Sequence, residues 1–384
     1  MKKIILVVLG ILVICGVYVA CRKIPPKTHN TIAAQYENVI NEAAPQKPAE
    51  AEIYIDASGS MKPYFSDEEI INAVSRIEGL MTNHTKVYFL ANPPKLYNGL
   101  IDQILGQVSK QPSLCATTFH DFFKKQGARA DTTNTIVYLV TDGIMSIGNQ
   151  GDTKKALIGL ENRIKASLEG HKNLAAAVFR YSGNYNGQYY NQNNVPLKIN
   201  QERPFYIIAV GQRPCIEWLK DQKPDDLYNP KGKLFLGLHD LDGHKESTVV
   251  PNIAGNKIDP LKVVNLTLDL PECLYDMHET TLKKAKVTNN GQSLNIPLTR
   301  QGNSIFLTIP SLFPGFSADS MGKYHTEIIL PNEVPVEWQN WSVESDIEGP
   351  DDNTTFGLIY LINGMFKALE TNNNLLEVKF DYSN

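Results

Sequence analysis

The chain has 384 residues, 42% hydrophobic and 20% charged, which suits two or three domains and excludes a disordered or collagen-like bulk. Its 37 basic and 41 acidic residues give a net charge of -4, and with no basic stripe, nucleic-acid binding is not expected. The five cysteines (Cys15, Cys21, Cys115, Cys215, Cys273) form no C-x-x-C pair and no even framework, so neither a zinc site nor a disulfide scaffold is indicated.

Residues 4–20 read IILVVLGILVICGVYVA, without charge, between Lys2-Lys3 and Arg22-Lys23. A helix of that length spans roughly 25 Å, just short of the usual membrane requirement. Two readings of residues 1–23 stand. One is an uncleaved single-pass anchor. The other is a bacterial lipoprotein signal, because Tyr18-Val19-Ala20-Cys21 resembles a lipobox in which Cys21 takes the lipid; Tyr18 departs from the Leu or small residue usual there. Both tether the body to the membrane on its extracytoplasmic side, in a bacterial cell envelope. Setting aside Lys2, Lys3, Arg22 and Lys23 leaves 33 basic against 41 acidic residues, so the body carries -8. Residues 24–50 read as a stalk, with Pro25, Pro26, Pro45 and Pro48 bracketing Thr31 to Ala44, a stretch compatible with a short helix.

From residue 51 to about 240, strands and helices alternate. Ile53 to Ile55 is a strand, and Ser66 with Glu69 has capping-box spacing before a helix carrying Ile70, Val74 and Ile77. Lys86 to Leu90 is a strand, Leu100 to Val108 a helix, and Thr118 is placed to cap a helix with Phe119, Phe122 and Phe123. Thr135 to Val140 is a strand apolar on both faces, Asp152 caps a helix that stops at Gly170, Phe205 to Val210 is a second buried strand, and Pro214 to Gln222 is a short helix. This order predicts an α/β fold: a Rossmann-like, doubly wound, mostly parallel sheet with helices on both faces. Residues 181–201, rich in Tyr, Asn and Gln, interrupt it as an inserted hairpin or loop. Placed on a helix-to-strand connection, they are expected at the sheet edge opposite a ligand crevice, as solvated decoration.

Residues 241–384 turn to strands. KVVNLTLDL (262–270), the run Leu294-Ile296-Leu298, the run Ile305-Leu307-Ile309 and KYHTEIIL (323–330) alternate, with Gly302 in a hairpin turn, which suggests a smaller β-rich, sandwich-like domain. Thr355 to Glu370 reads as a C-terminal helix, and Leu375 to Tyr382 as a last strand that closes either domain. Asp346 to Asp352 lacks a calcium-loop signature and reads as a solvated turn; Trp338 and Trp341 read as core packing.

The chemistry sits in the loops after two of these strands. Asp56-Ala57-Ser58-Gly59-Ser60 follows the first, and Thr141-Asp142-Gly143 follows the strand at 135–140; Ala116-Thr117-Thr118-Phe119 is a third candidate loop. Usage predicts roughly 0.1 chance occurrences of D-x-S-x-S in such a chain, so context carries the signal. The carboxyl ends of strands are where open α/β sheets bind ligands. A bland alternative is that Asp and Ser here only make a turn and a helix cap.

These residues resemble the von Willebrand factor type A family over roughly residues 51–240. That family's metal-ion-dependent adhesion site reads D-x-S-x-S, then a Thr, then an Asp. Asp56, Ser58 and Ser60 match its first element and Asp142 its last. Thr117 fits the middle, with Ala116 where the family writes Gly, and Thr118 is the alternative. The resemblance implies a Rossmann-like fold and a bound Mg²⁺ or Mn²⁺. Independently, such hard cations want compact oxygen ligands, and three neutral hydroxyls with two carboxylates leave residual positive charge to attract a partner protein's carboxylate. The expected function is metal-dependent protein binding, in adhesion or envelope-complex assembly, with no catalytic residue. Two rivals remain, a metal-assisted hydrolase and a structural protein in which the ion only stabilises the fold. No G-x-S-x-G elbow surrounds Ser58, and the eight histidines show no metal-ligand spacing.

Overall fold

The computed structural model describes residues 32–36, 39–41, 44–81, 85–90, 94–97, 99, 101–109, 118–147, 152–238, 240–243, 246–249, 264–269, 279–289, 291–302, 304–309, 323–370 and 374–383. The expected anchor, with Cys21, and Thr117 lie outside them. Among the described residues no helix is long and apolar enough to cross a membrane.

The alternating segments form β1 (Glu50–Asp56), α1 (Glu68–Leu80), β2 (Thr85–Leu90), β3 (Lys95–Tyr97), α2 (Ile101–Ser109), α3 (Phe119–Thr132), β4 (Thr135–Thr141), α4 (Thr153–Leu168), β5 (Leu174–Tyr190), β6 (Pro196–Gln212), α5 (Arg213–Lys220) and β7 (Gly232–Leu236). The strands make one seven-stranded sheet, ordered β3-β2-β1-β4-β6-β5-β7. β1 pairs in parallel with β2 and β4, while β3, β6, β5 and β7 each join their neighbour antiparallel. The fold is therefore mixed α/β. The expected, mostly parallel arrangement holds for β2-β1-β4, and the sheet beyond β4 is antiparallel. The cause is the β5–β6 connection, a tight turn at 191–195 that permits only an antiparallel hairpin.

Side-chain alternation divides the core between two faces. Ile136, Tyr138 and Val140 of β4 and Phe205, Ile207 and Ala209 of β6 pack with α1, α2 and α5. Val137 and Leu139, with Tyr206, Ile208 and Val210, pack with α3 and α4. Helices thus cover both faces, as the buried strands require. Asp152 caps α4 through the Lys155 N–H at 3.0 Å. The expected Ser66–Glu69 box does not form: Ser66 ends a 3-10 turn, Lys62–Ser66, and Asp67 holds the N-cap position of α1. Asp67 makes no cap bond because its carboxylate accepts the Asn184 N–H at 3.0 Å. Thr118 occupies the α3 N-cap position, also without a side-chain cap bond.

Two compact units divide the chain, and the division is not sequential. One unit comprises residues 40–243 and 332–375, the other 1–39, 244–331 and 376–384. The stretch 332–375, expected in the C-terminal domain, therefore belongs with the sheet. It supplies α6 (Val336–Asn340) and α7 (Leu358–Leu369). Leu358, Leu361, Ile362, Met365 and Leu369 of α7 are buried in the same core as α3 and α4. Gly364 lets α7 approach α4 closely, since a Cβ there would lie 2.8 Å from the Glu161 carbonyl oxygen. Lys367 of α7 pairs with the buried Glu161 carboxylate.

The other unit is antiparallel and β-rich where it is described. Its six-stranded sheet runs, by residue, 246–249, 32–36, 374–383, 323–331, 286–289, 292–294, and a three-stranded one runs 264–269, 304–309, 299–301. Ile32–Tyr36, expected in a helical stalk, is instead a strand paired with residues 246–249 and with the last strand. The alternation of Ile32, Ala34 and Tyr36 suits that role, and partner strands far along the chain were invisible to local reading. The run 294–298 is not continuous: one strand ends at Leu294, and Gly302 makes the next turn at φ 60°.

Candidate functional site

β1 and β4 are neighbours, yet the chain leaves them in opposite directions: β1 leads through α1 to β2, and β4 leads through α4 to β5. Their carboxyl ends therefore flank a topological switch point, where open α/β sheets form a crevice. Ile55 pairs with Val140, which sets Asp56 beside Thr141 on one face. The Thr141 hydroxyl donates to Asp56 Oδ2 at 2.9 Å, and Asp56 Oδ1 accepts the Ser58 N–H at 2.9 Å. Ser58 Oγ and Ser60 Oγ lie 3.2 Å apart. Asp142 Oδ1 accepts the Ile144 N–H at 3.1 Å, and Gly143, at φ 71°, makes the turn between them. A Cβ at Gly143 would stand 2.8 Å from Tyr206, so this turn has room for glycine alone.

Four of the five residues expected at the site are thus brought together: Asp56, Ser58, Ser60 and Asp142 line one cavity of about 260 Å³. Thr117 lies outside the described residues. Thr118, the alternative, is exposed and lines a separate cavity of about 70 Å³ with His120 and Leu160.

The electrostatics are unusual. Asp56 is 2% and Asp142 4% exposed. Burial, and then the Asp56 charge, push the Asp142 carboxyl up to about 7, while Ser60, Ile144 and Arg203 pull it back. Asp142 Oδ2 is buried and makes no hydrogen bond. An orphaned buried carboxylate oxygen beside a second carboxylate needs a proton or a cation. Two carboxylates and the Ser58 and Ser60 hydroxyls are hard oxygen donors that fit Mg²⁺ or Mn²⁺. Among the described residues no group of three or more His, Cys, Asp or Glu is placed to share a metal. The set here has only two acids, the rest being hydroxyls.

The far wall of the cavity comes from an unexpected place. β5 and β6 pair unbroken from Leu174–Gln212 to Tyr190–Pro196. The sheet beside them stops sooner, with Thr141 of β4 opposite Tyr206 and Gly232 of β7 opposite Arg180. Residues 181–205 therefore form a two-stranded arm beyond the carboxyl ends of β1 and β4. Tyr190, Asn191, Gln192 and Asn194 at its tip line the cavity with Asp56 and Asp142. This reverses the expectation that 181–201 decorates the opposite edge. The strand at 174–180 (LAAAVFR) precedes the arm, so the arm leaves from a strand's carboxyl end and not from a helix.

The arm is fastened at several points. Gly187 meets Pro63 and Gly183 meets Asp67 so closely that a Cβ at either would collide. Asp346 holds the tip: its carboxylate accepts the Tyr189 hydroxyl and, at 2.8 Å, the Gln192 N–H. Asn191 donates to the Ile347 carbonyl at 3.1 Å, and the buried Arg203 donates to the Asp351 carbonyl at 2.8 Å while lying over the Tyr189 ring. Asp346, expected in a solvated turn, is buried. Thr141 is the other residue that sequence reasoning missed; its signal was strand parity, which puts it on the Asp56 face.

Comparison with known proteins finds no matching family model, no matching curated protein and no matching solved structure. The described residues lining the cavity include no His, Lys or Cys, so its titratable acid–base groups are the Asp56 and Asp142 carboxyls and the Tyr190 phenol. The buried Cys215 lies elsewhere, its thiol pushed up to about 11 by burial and bonded to Asn134 Oδ1.

Proposed function

We propose that the sheet-bearing unit is a divalent-metal-dependent protein-binding module, with a site like that of the von Willebrand factor type A family. Asp56, Ser58, Ser60 and Asp142 would hold Mg²⁺ or Mn²⁺, joined by Thr117. The observation that carries this reading is the buried Asp142 carboxyl, whose Oδ2 makes no hydrogen bond, lining the switch-point crevice together with Asp56, Ser58 and Ser60. The bound ion would supply an open coordination position for the carboxylate of a partner protein. In this chain, Thr141 orients Asp56, the Ile144 N–H orients Asp142, and the buried surroundings keep both from turning away.

The uncharged N-terminal run with basic flanks supports display on the outer side of a bacterial membrane, by anchor or by lipid on Cys21. The test is a pull-down of the full chain from envelope extract, with Mg²⁺ against chelator. Partners retained with Mg²⁺, released by chelator and lost in Asp56→Ala are expected. Identical partners under both conditions would overturn the reading.

A further inference from the structure

We infer that the tip of the β5–β6 arm is the specificity element of this site, and that its ligand is an extended protein segment carrying an acidic residue beside an apolar one. The inference rests on the metal-dependent reading above and adds the partner's chemistry. Size comes first. A cavity of about 260 Å³ lies below the range of small-molecule pockets, roughly 300–1,000 Å³, so it suits one side chain and leaves the rest of a ligand on the rim. The rim has a defined character. Tyr190 lines the cavity and is 38% exposed; Val195, next to the lining residue Asn194, and Ile347, bonded through its carbonyl to the lining residue Asn191, are 47 and 52% exposed. They are tied to one another through Asn191, which accepts the Val195 N–H at 3.0 Å, and donates to the Ile347 carbonyl at 3.1 Å. Asn194, exposed and left-handed at φ 56°, adds an amide on the cavity side.

Rigidity is the second argument. The Asp346 carboxylate, the Arg203 guanidinium and the Gly183 and Gly187 contacts hold the tip in place before any ligand arrives. Preorganised rims of tyrosine, aliphatic and amide groups lose little entropy on binding, which is how recognition loops gain selectivity. The acidic residue would complement the ion, and its apolar neighbour would cover Val195 and Ile347.

The experiment uses the purified full chain and its Val195→Ser/Ile347→Ser variant, whose changes are at exposed positions. Mn²⁺ binding is read first, by electron paramagnetic resonance. Fluorescent peptide pools are then titrated with Mn²⁺ present. In one pool a central Glu flanks Leu; in the others Gln replaces Glu or Ser replaces Leu. The Glu-Leu pool should bind best, and the double variant should lose affinity for it about tenfold, the scale of burying an aliphatic side chain, with Mn²⁺ binding unchanged. No preference for Leu over Ser, or equal affinity in the double variant, overturns the inference while Mn²⁺ binding stands. Failure of the wild-type chain to bind Mn²⁺ overturns the metal-dependent reading and the inference with it. If the double variant changes only self-association, the patch is a contact between copies and the inference fails.

Discussion

At the scale of single residues, Asp142 is the most informative group in the chain. Its carboxyl is raised to about 7, chiefly by burial and then by Asp56. The sign follows from linkage. A group held above its unfolded value binds its proton more tightly in the folded state, so the stability it contributes is full below about 4 and is lost as pH rises through about 7. The metal-free protein should therefore melt progressively lower between pH 5 and pH 8, by an amount that Asp142→Asn removes. Added Mg²⁺ should restore the wild-type protein at pH 8 and leave the Asn variant unchanged. Melting curves across pH, with and without Mg²⁺, check this; a flat wild-type profile would count against a buried ionising pair. Both carboxylates were legible from the sequence because D-x-S-x-S and T-D-G each follow an apolar strand. Thr141 was not, because its partner lies 85 positions away and only the β1–β4 register joins them.

At the scale of elements, the arm carries the lesson. Of the sheet strands, β1, β2, β4 and the 205–210 part of β6 were readable from runs of β-branched and aromatic residues, and the short β3 and β7 were not. The strand at 174–180 was not, because three consecutive alanines have weak strand preference and only burial between β6 and β7 makes them one. Missing that strand moved the arm to the wrong end of the sheet. Its position depends on Asp346, which no local pattern marks. Asp346→Ala removes the acceptor of both the Tyr189 hydroxyl and the Gln192 N–H. Each buried donor left unmatched costs about 1–3 kcal/mol, enough to loosen the tip without unfolding the sheet. Amide hydrogen exchange should then accelerate at residues 189–195 and stay slow at 205–210. Equal acceleration in both, or in neither, would show that Asp346 is not a local clamp.

At the scale of the whole molecule, chain order and spatial order part company. The sheet-bearing unit is completed by residues 332–375, which return after 88 residues assigned to the other unit. The apolar face of α7 was evident from its spacing, but its destination was not, since helical periodicity says that a face is buried and not against what. The same return brings Asp346 to the arm, and Phe356 to the wall of the cavity. The site is thus assembled from β1, β4, the arm and a late segment of the chain, around the two buried carboxylates of Asp56 and Asp142. The most direct test of that account is a Mn²⁺ titration of the folded full-length chain, followed by electron paramagnetic resonance, beside Asp142→Asn. The account predicts one saturable site, displaced by Mg²⁺ and lost in the variant. A folded wild-type chain that binds no Mn²⁺, or a variant that binds it equally well, would contradict it.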